Sequence, residues 1–249
     1  MDPTGARVPA STAMGGLGSY ESFAYDDGTS VPTFYVTRDA TDGVLTRFIP
    51  NDQGMACYNQ TNDYDRWCTL DHGRREYLVI SGQETGGTLR WTRNVTEAQE
   101  NAKTYYPKSE GIDVVNGMLY FVSKEKKRLV ILNLRTRQSS YHSTRSGAFN
   151  QQPDQVARLV RDDDKSILYF CEDGGPDPGV HGRNHQGKYF TILYGERFEK
   201  PEETTGLTFS PDGFSMYVSY QHTGIIYEVT RIDNRPFQGE LLDIKYHAT

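Results

Sequence analysis

Nowhere does the sequence approach the ~20 consecutive apolar residues that a membrane-spanning helix requires. It also lacks a surplus of positive charge: 27 Lys and Arg stand against 33 Asp and Glu, for a net charge of −6. A nucleic-acid footprint needs a concentrated Lys/Arg surface, so no nucleic-acid partner is expected. Aliphatic content is low as well, with 36% hydrophobic residues and a mean hydropathy of −0.69. The signatures of common catalytic sites are missing: Gly-x-Ser-x-Gly, a P-loop, His-Glu-x-x-His and an EF-hand loop do not occur. Residues 1–18 (MDPTGARVPASTAMGGLG) hold no apolar core segment of a signal peptide, and their composition reads as a flexible N-terminal arm. Cysteine is scarce, at three, which leaves one without a partner.

What is present in quantity is aromatic. The 17 Tyr and 11 Phe exclude disorder over most of the 249 residues. The 24 Gly and 11 Pro imply many turns. A core of Tyr, Phe, Val and Ile between frequent Gly turns points to short strands rather than a helical bundle.

A supersecondary unit recurs along the chain. A short run with an acidic or small polar residue passes a turn, enters an aromatic strand, ends in a polar cluster and continues into another strand. The first copy is Glu21–Tyr25, Asp26-Asp27-Gly28, Thr33–Thr37 and Val44–Ile49. The second is Glu110–Val115, Asn116-Gly117, Met118–Val122 and Leu129–Leu134. Asn-Gly between apolar runs is the strongest short hairpin signal. The third runs Pro153–Val160, a turn at Asp162-Asp163-Asp164, Ile167–Cys171 and Tyr189–Leu193. The fourth runs Thr205–Phe209, Ser210-Pro211-Asp212-Gly213, Met216–Ser219 and Ile225–Val229. Further strands are expected at Tyr77–Ile80 and Thr88–Thr92, and one helix over Glu97–Tyr105, with Thr96 and Gln99 as capping box and Pro107 as stop. Units at this spacing are the signature of an all-β propeller, a single domain over 19–249. At ~42 residues per blade the length allows five to six blades, four of them traceable.

Inner strands of a propeller line a central channel, so acidic residues at their ends would converge at one mouth. Glu21, Glu110 and Asp154 start inner strands, and Glu172 ends the strand after the third. Oxygen-only donors suit a hard cation such as Ca²⁺. Taken singly, each carboxylate more often accepts backbone N–H bonds or simply faces water. The connection Gly179–Gly187 (GVHGRNHQG) could carry Arg183, His181 or His185 over the mouth, although a surface loop is the commoner outcome. Gln221 and His222 occupy the corresponding place in the fourth blade, and Asp212 belongs to its turn. The basic run Lys124–Arg128 reads as a solvated hairpin turn. Cys57 and Cys68, in a loop-like stretch, form either a disulfide or a thiol pair; Cys171 lies in a strand as a buried thiol. The sequons at Asn59 and Asn94 suit a secreted chain.

These residues resemble the PhoX-type alkaline phosphatase-like family. The resemblance rests on Tyr20-Glu21-Ser-Phe-Ala with Phe34-Tyr-Val-Thr-Arg38-Asp39, Ser109-Glu110-Gly-Ile-Asp and Pro153-Asp154-Gln155. Leu168-Tyr-Phe-Cys-Glu172-Asp-Gly-Gly, Thr204–Gly213 and Gln221-His222-Thr-Gly complete it, so that it spans residues 19–247. It implies a β-propeller whose characterised members hydrolyse phosphoesters with calcium, and iron, at the channel mouth. Carried over, Glu110 and Glu172 are the leading metal ligands, with Glu21 and Asp154 behind them. Arg38 departs from the acidic residue that the pattern favours before Asp39. No cysteine is placed to serve iron, so calcium is the cofactor expected and iron is not.

The first reading is a degenerate, non-catalytic PhoX-like propeller serving as a binding or accessory subunit with a protein partner. The alternative is a calcium-dependent phosphoesterase in which Arg183 or Arg38 assists with a phosphate-containing small molecule. A lactonase-like calcium propeller is a third. An extracytoplasmic, secreted or organelle-lumenal setting is the expected compartment.

Overall fold

Each traced repeat folds as an antiparallel sheet, turned by the residues that its turn chemistry demands. The computed structural model describes residues 14, 18–61, 66–159, 167–194 and 198–237. The first blade comprises β1 (Tyr20–Asp26), β2 (Thr33–Arg38), β3 (Thr46–Pro50), β4 (Gly73–Gln83) and β5 (Gly86–Thr92). The second comprises β6 (Ser109–Val115), β7 (Met118–Ser123), β8 (Arg128–Asn133) and β9 (Gln138–Ser143). The third is β10 (Gln152–Arg158), β11 (Leu168–Asp173), β12 (Val180–Arg183) and β13 (Tyr189–Leu193). The fourth is β14 (Thr204–Phe209), β15 (Ser215–Tyr220) and β16 (Ile225–Thr230). Four of the five to six expected blades are thus built by described residues, and the expected turn at 162–164 lies outside them.

Asn116 and Gly117 have φ of 51° and 76°, the pair of left-handed residues that a type I′ turn requires. In the fourth blade Gly213 N–H donates to Ser210 O at 2.8 Å, and Asp212 Oδ1 accepts from Phe214 N–H at 3.0 Å. Both turns follow the sequence reading.

The stretch between the first and second inner strands does not form a blade of its own. The strand β4 pairs with β3 along Gly73–Tyr77 and with β5 along Tyr77–Gln83. Then β5 crosses to β9, where Gly86 faces Ser140 and Thr88 faces Gln138, which merges the first two blades into one nine-stranded sheet. The approach depends on bare glycine: a Cβ on Gly86 would stand 2.3 Å from Ser139 O.

Helix α2 (Val95–Tyr105) lies where a helix was expected, but Asn94 caps it, accepting from Glu97 N–H at 3.2 Å. The Thr96 capping box is superseded because an Asn two residues earlier already satisfies an orphan donor. The helix packs on β4 through Asn101, whose side chain bonds both N and O of Ile80 at 2.8 Å. Tyr106 O–H donates to Leu78 O at 2.7 Å.

The loop-like stretch holding Cys57 and Cys68 is helical. Helix α1 (Asp52–Tyr58), capped by Asn51, and a 3-10 segment (Arg66–Asp71) are joined by a Cys57–Cys68 disulfide. Gly54 and the short length hid the helix from pattern reading. Closing an 11-residue separation constrains the unfolded chain by about 3 kcal/mol. The paired change Cys57→Ala and Cys68→Ala is expected to lower unfolding stability by about that amount in urea titrations.

Apolar side chains fill the spaces between blades. Leu78, Leu119, Phe121 and Leu132 are fully buried between the first two, Phe149 and Phe170 between the second and third, and Met216 and Val218 against the third. Burying each such side chain contributes about 1.5–3 kcal/mol. Met14 packs on the outer face of the first blade beside Phe34, Val36 and Phe48. The rest of the expected N-terminal arm lies outside the described residues. No helix among those residues is long and apolar enough to cross a membrane.

Candidate functional site

The four inner strands β1, β6, β10 and β14 share a defect at one level. Their pairing with the next strand slips between Tyr20 and Phe23, Ser109 and Ile112, Pro153 and Val156, and Thr205 and Thr208. A bulge breaks the pleat alternation and re-aims the side chains within it. The residues inside the first three slips are Glu21-Ser22, Glu110-Gly111 and Asp154-Gln155. These pairs, with Thr205 and Gly206 of the fourth strand, line a cavity of about 230 Å³ that Glu203 and Gln221 complete.

The cavity is acidic and largely withdrawn from water. Glu110 is 2% exposed, Asp154 7% and Glu203 9%, while Glu21 stands exposed at the rim. The Asp154 carboxyl interacts with those of both Glu110 and Glu203, so the three do not ionise independently. Burial, then the neighbouring Glu110 carboxylate, lifts the Asp154 carboxyl to about 7. Burial lifts Glu110 to about 7, against the pull of Lys124. Burial and the Asp154 carboxyl lift Glu203 to about 8. Glu21 is also raised, by burial and then by Asp39.

Glu202, next in sequence to Glu203, has the opposite fate. Despite its burial, the N–H groups of Glu203, His222 and Thr223 hold its carboxyl below the ordinary range. One of two adjacent carboxylates is an anchor and the other is left in the cavity.

A second level follows from the same register. Tyr20 pairs with Arg38, Ser109 with Ser123, Pro153 with Glu172 and Thr205 with Ser219. The next residues, Asp39, Lys124, Asp173 and Tyr220, are therefore equivalent positions in the four blades. Lys124 Nζ lies 2.5 Å from Asp173 Oδ2 and 3.5 Å from Glu110 Oε1, with its side chain 15% exposed. Burial works against its charge, but the bond to Asp173 and the carboxylates of Glu110 and Asp154 outweigh it and hold the ammonium above the ordinary lysine range. The run Lys124–Arg128 does form a hairpin turn, yet its first lysine folds into the acidic site instead of the solvent. Gln221 donates from Nε2 to Glu203 Oε2 at 3.3 Å.

The residues singled out in the sequence divide into two groups. Glu21, Glu110, Asp154 and Gln221 meet at the cavity. Glu172 does not join them: its Oε1 accepts the N–H groups of Asn150 and Gln151 at 2.9 and 2.7 Å. Its Oε2 accepts Gly179 N–H and contacts His181 Nε2, both at 3.1 Å. The Gly179–Gly187 connection is no open loop, because residues 180–183 are strand β12 and His181 is fully buried, stacked 4.4 Å from Phe149. Arg183 lies over the Tyr189 ring, and His185 is exposed in the turn after β12. Arg38 donates from Nε to Gly18 O at 2.9 Å and sits 3.6 Å from Asp42. Neither arginine lines the cavity. His222, 60% exposed in its side chain, serves Glu202.

Two members escaped the sequence reading. Glu203 lies two residues ahead of where the fourth repeat was set to begin, and Lys124 was assigned to a solvated turn. Aligning the repeats on their second-strand ends would have found Lys124, beside Asp39 and Asp173, whereas no repeat position marks Glu203.

With Lys124 in place, these donors do not fit a calcium ion. Among the described residues no three His, Cys, Asp or Glu side chains are grouped to hold one ion. Glu172 is consumed by backbone donors, and an ammonium already lies against Glu110 and Asp173.

Close approach of the inner strands fixes the cavity wall. A Cβ on Gly111 would stand 2.1 Å from Val156 N and 2.6 Å from Gln155 C. Gly111→Ala is expected to cost about 1–3 kcal/mol by forcing β6 and β10 apart, read as a lower urea midpoint.

No family model matches the chain, and no curated protein does. Among solved structures, Pseudomonas fluorescens PhoX in complex with vanadate, a transition state analogue, aligns with a TM-score of 0.65 at 14% identity, over 89% of this chain and 55% of that one. The chain thus spans about half the length of that PhoX structure. Selenomethionine-substituted virginiamycin B lyase from Staphylococcus aureus aligns at 13% identity over 85% of this chain and 70% of that one, with a TM-score of 0.40. A streptogramin B lyase structure aligns at 14% identity over 85% and 68%, with a TM-score of 0.41. The fold is a PhoX-like β-propeller.

Proposed function

We propose that this chain is a non-catalytic member of the PhoX-like propellers, a binding or accessory subunit whose acidic channel mouth takes a ligand without turning it over. The observation that carries this reading is Lys124, whose ammonium lies against Glu110 and Asp173 where a metal-dependent site would need its carboxylates free. The carboxyls there outnumber the one ammonium beside them, which disfavours phosphate. Ser22, Gln155, Thr205 and Gln221 supply neutral hydrogen-bonding groups around the carboxyls, which suits a cationic or hydroxyl-rich partner group.

One observation supports the calcium-dependent phosphoesterase as a second reading: Glu21, Glu110 and Asp154 reach one cavity from three successive blades. In that case a metal has to displace Lys124. The disulfide and the exposed sequon at Asn59 support an extracytoplasmic compartment.

Elemental analysis of the purified protein, followed by p-nitrophenyl phosphate turnover with and without calcium chloride, separates the readings. The subunit reading expects no stoichiometric metal and no turnover. Calcium-dependent turnover that disappears in Glu110→Ala would instead establish the enzyme.

A further inference from the structure

We infer that Lys124 is a tethered replacement for a metal ion: its ammonium offsets part of the negative charge at the channel mouth and excludes divalent cations from it. This deepens the non-catalytic reading and rests on it.

Three observations meet at this residue. By strand register, Lys124 occupies in the second blade the position held by Asp39 in the first and Asp173 in the third. The one basic residue in that ring therefore stands between acidic neighbours. Its Nζ bonds Asp173 of the third blade while contacting Glu110 of its own, so a single cation bridges two blades. The remaining groups facing it are carboxyls: Asp154 raises its basicity, and its charge in turn acts on Glu21 and Glu203.

A unit charge about 4 Å from a divalent cation at an effective dielectric near 20 opposes binding strongly enough to account for several factors of ten in affinity. A lysine also brings three donors and no acceptor, which matches a pocket of acceptors. Removing the ammonium leaves a site with carboxyl oxygens and no cation, the composition that hard ions select.

The test compares wild type, Lys124→Gln and the exposed-lysine control Lys126→Gln by thermal unfolding in EGTA and in 1 mM (about a millimolar, well above typical sensor affinities) calcium chloride, with calcium affinity read by calorimetry. Wild type and Lys126→Gln are expected to unfold at the same temperature in both buffers. Lys124→Gln is expected to lose on the order of 5–10 °C in EGTA, to regain most of it in calcium, and to bind calcium at least ~10-fold more tightly than wild type. Should Lys124→Gln fail to fold, Lys124→Gln combined with Asp173→Asn, which removes the unbalanced charge, is expected to fold and to show no calcium response. Failure of that double variant as well overturns the inference. So does a Lys124→Gln protein that is as stable as wild type and indifferent to calcium, and this outcome leaves the non-catalytic reading standing. Calcium-dependent stability of wild type overturns the inference, and p-nitrophenyl phosphate turnover alongside it overturns the non-catalytic reading too.

Discussion

Replacing Glu172 by alanine is expected to lower unfolding stability by about 5 kcal/mol. Its carboxylate accepts three backbone N–H groups and meets the His181 ring, all within the third blade and the loop leading to it. Each buried donor left without a partner costs about 1–3 kcal/mol. Domains of this kind have roughly 5–15 kcal/mol in total, so the variant should be near the limit of folding. Glu172→Gln keeps one oxygen for Asn150 and Gln151 but presents an amide to Gly179 N–H, and is expected to fall between alanine and wild type. Urea titration of the three proteins measures the series. Glu172→Ala within about 1 kcal/mol of wild type would show that the residue is no structural hub. This large effect also separates Glu172 from Glu110, with which the resemblance had grouped it: Glu110→Gln removes a member of a self-repelling row and should not destabilise above neutral pH.

Stability is expected to fall as pH rises from 5 to 9, by an amount on the order of 4 kcal/mol. Glu110, Asp154 and Glu203 titrate near 7, 7 and 8 in the folded protein, against ordinary carboxyl values in the unfolded chain. Between those values the folded state holds more protons, so raising pH favours unfolding. The contribution is complete below the unfolded pKa and disappears as pH passes through 7 to 8. The figure is about a third of what three independent groups would give, because coupled neighbours do not ionise independently. Melting temperature measured across this range should show the decline, and Glu203→Gln with Asp154→Asn should flatten it. A melting temperature that climbs from pH 5 to 9 would contradict the coupled carboxyl row.

The difference between Glu172 and its expected partners shows where the sequence stopped being informative. Turn chemistry and strand periodicity are local, and Asn116-Gly117 and Ser210–Gly213 fixed two hairpins from a handful of residues. The acidic starts at Glu21, Glu110 and Asp154 were legible for the same reason: they recur at one place in a repeat. Whether a carboxylate faces a cavity or a set of amides depends on chain brought in from elsewhere. Glu172 is claimed by Asn150, Gln151 and Gly179, and nothing in its own flanking sequence announces this. Lys124 was misplaced for the converse reason. Its neighbours Glu125 and Lys126 are exposed as a charged turn should be, while Lys124 alone is drawn inward by Asp173 of the next blade. The bulges that aim the site are likewise invisible to alternation, since each looks like an ordinary continuation of its strand. The pairing of β5 with β9 joins segments about 50 residues apart and followed from no periodic signal.

A crystal structure of the protein grown with calcium chloride tests the central claim most directly. The expected result is Lys124 Nζ between Glu110 and Asp173, with no calcium among Glu21, Glu110 and Asp154. A calcium ion held by those carboxylates, with Lys124 swung away, would contradict it.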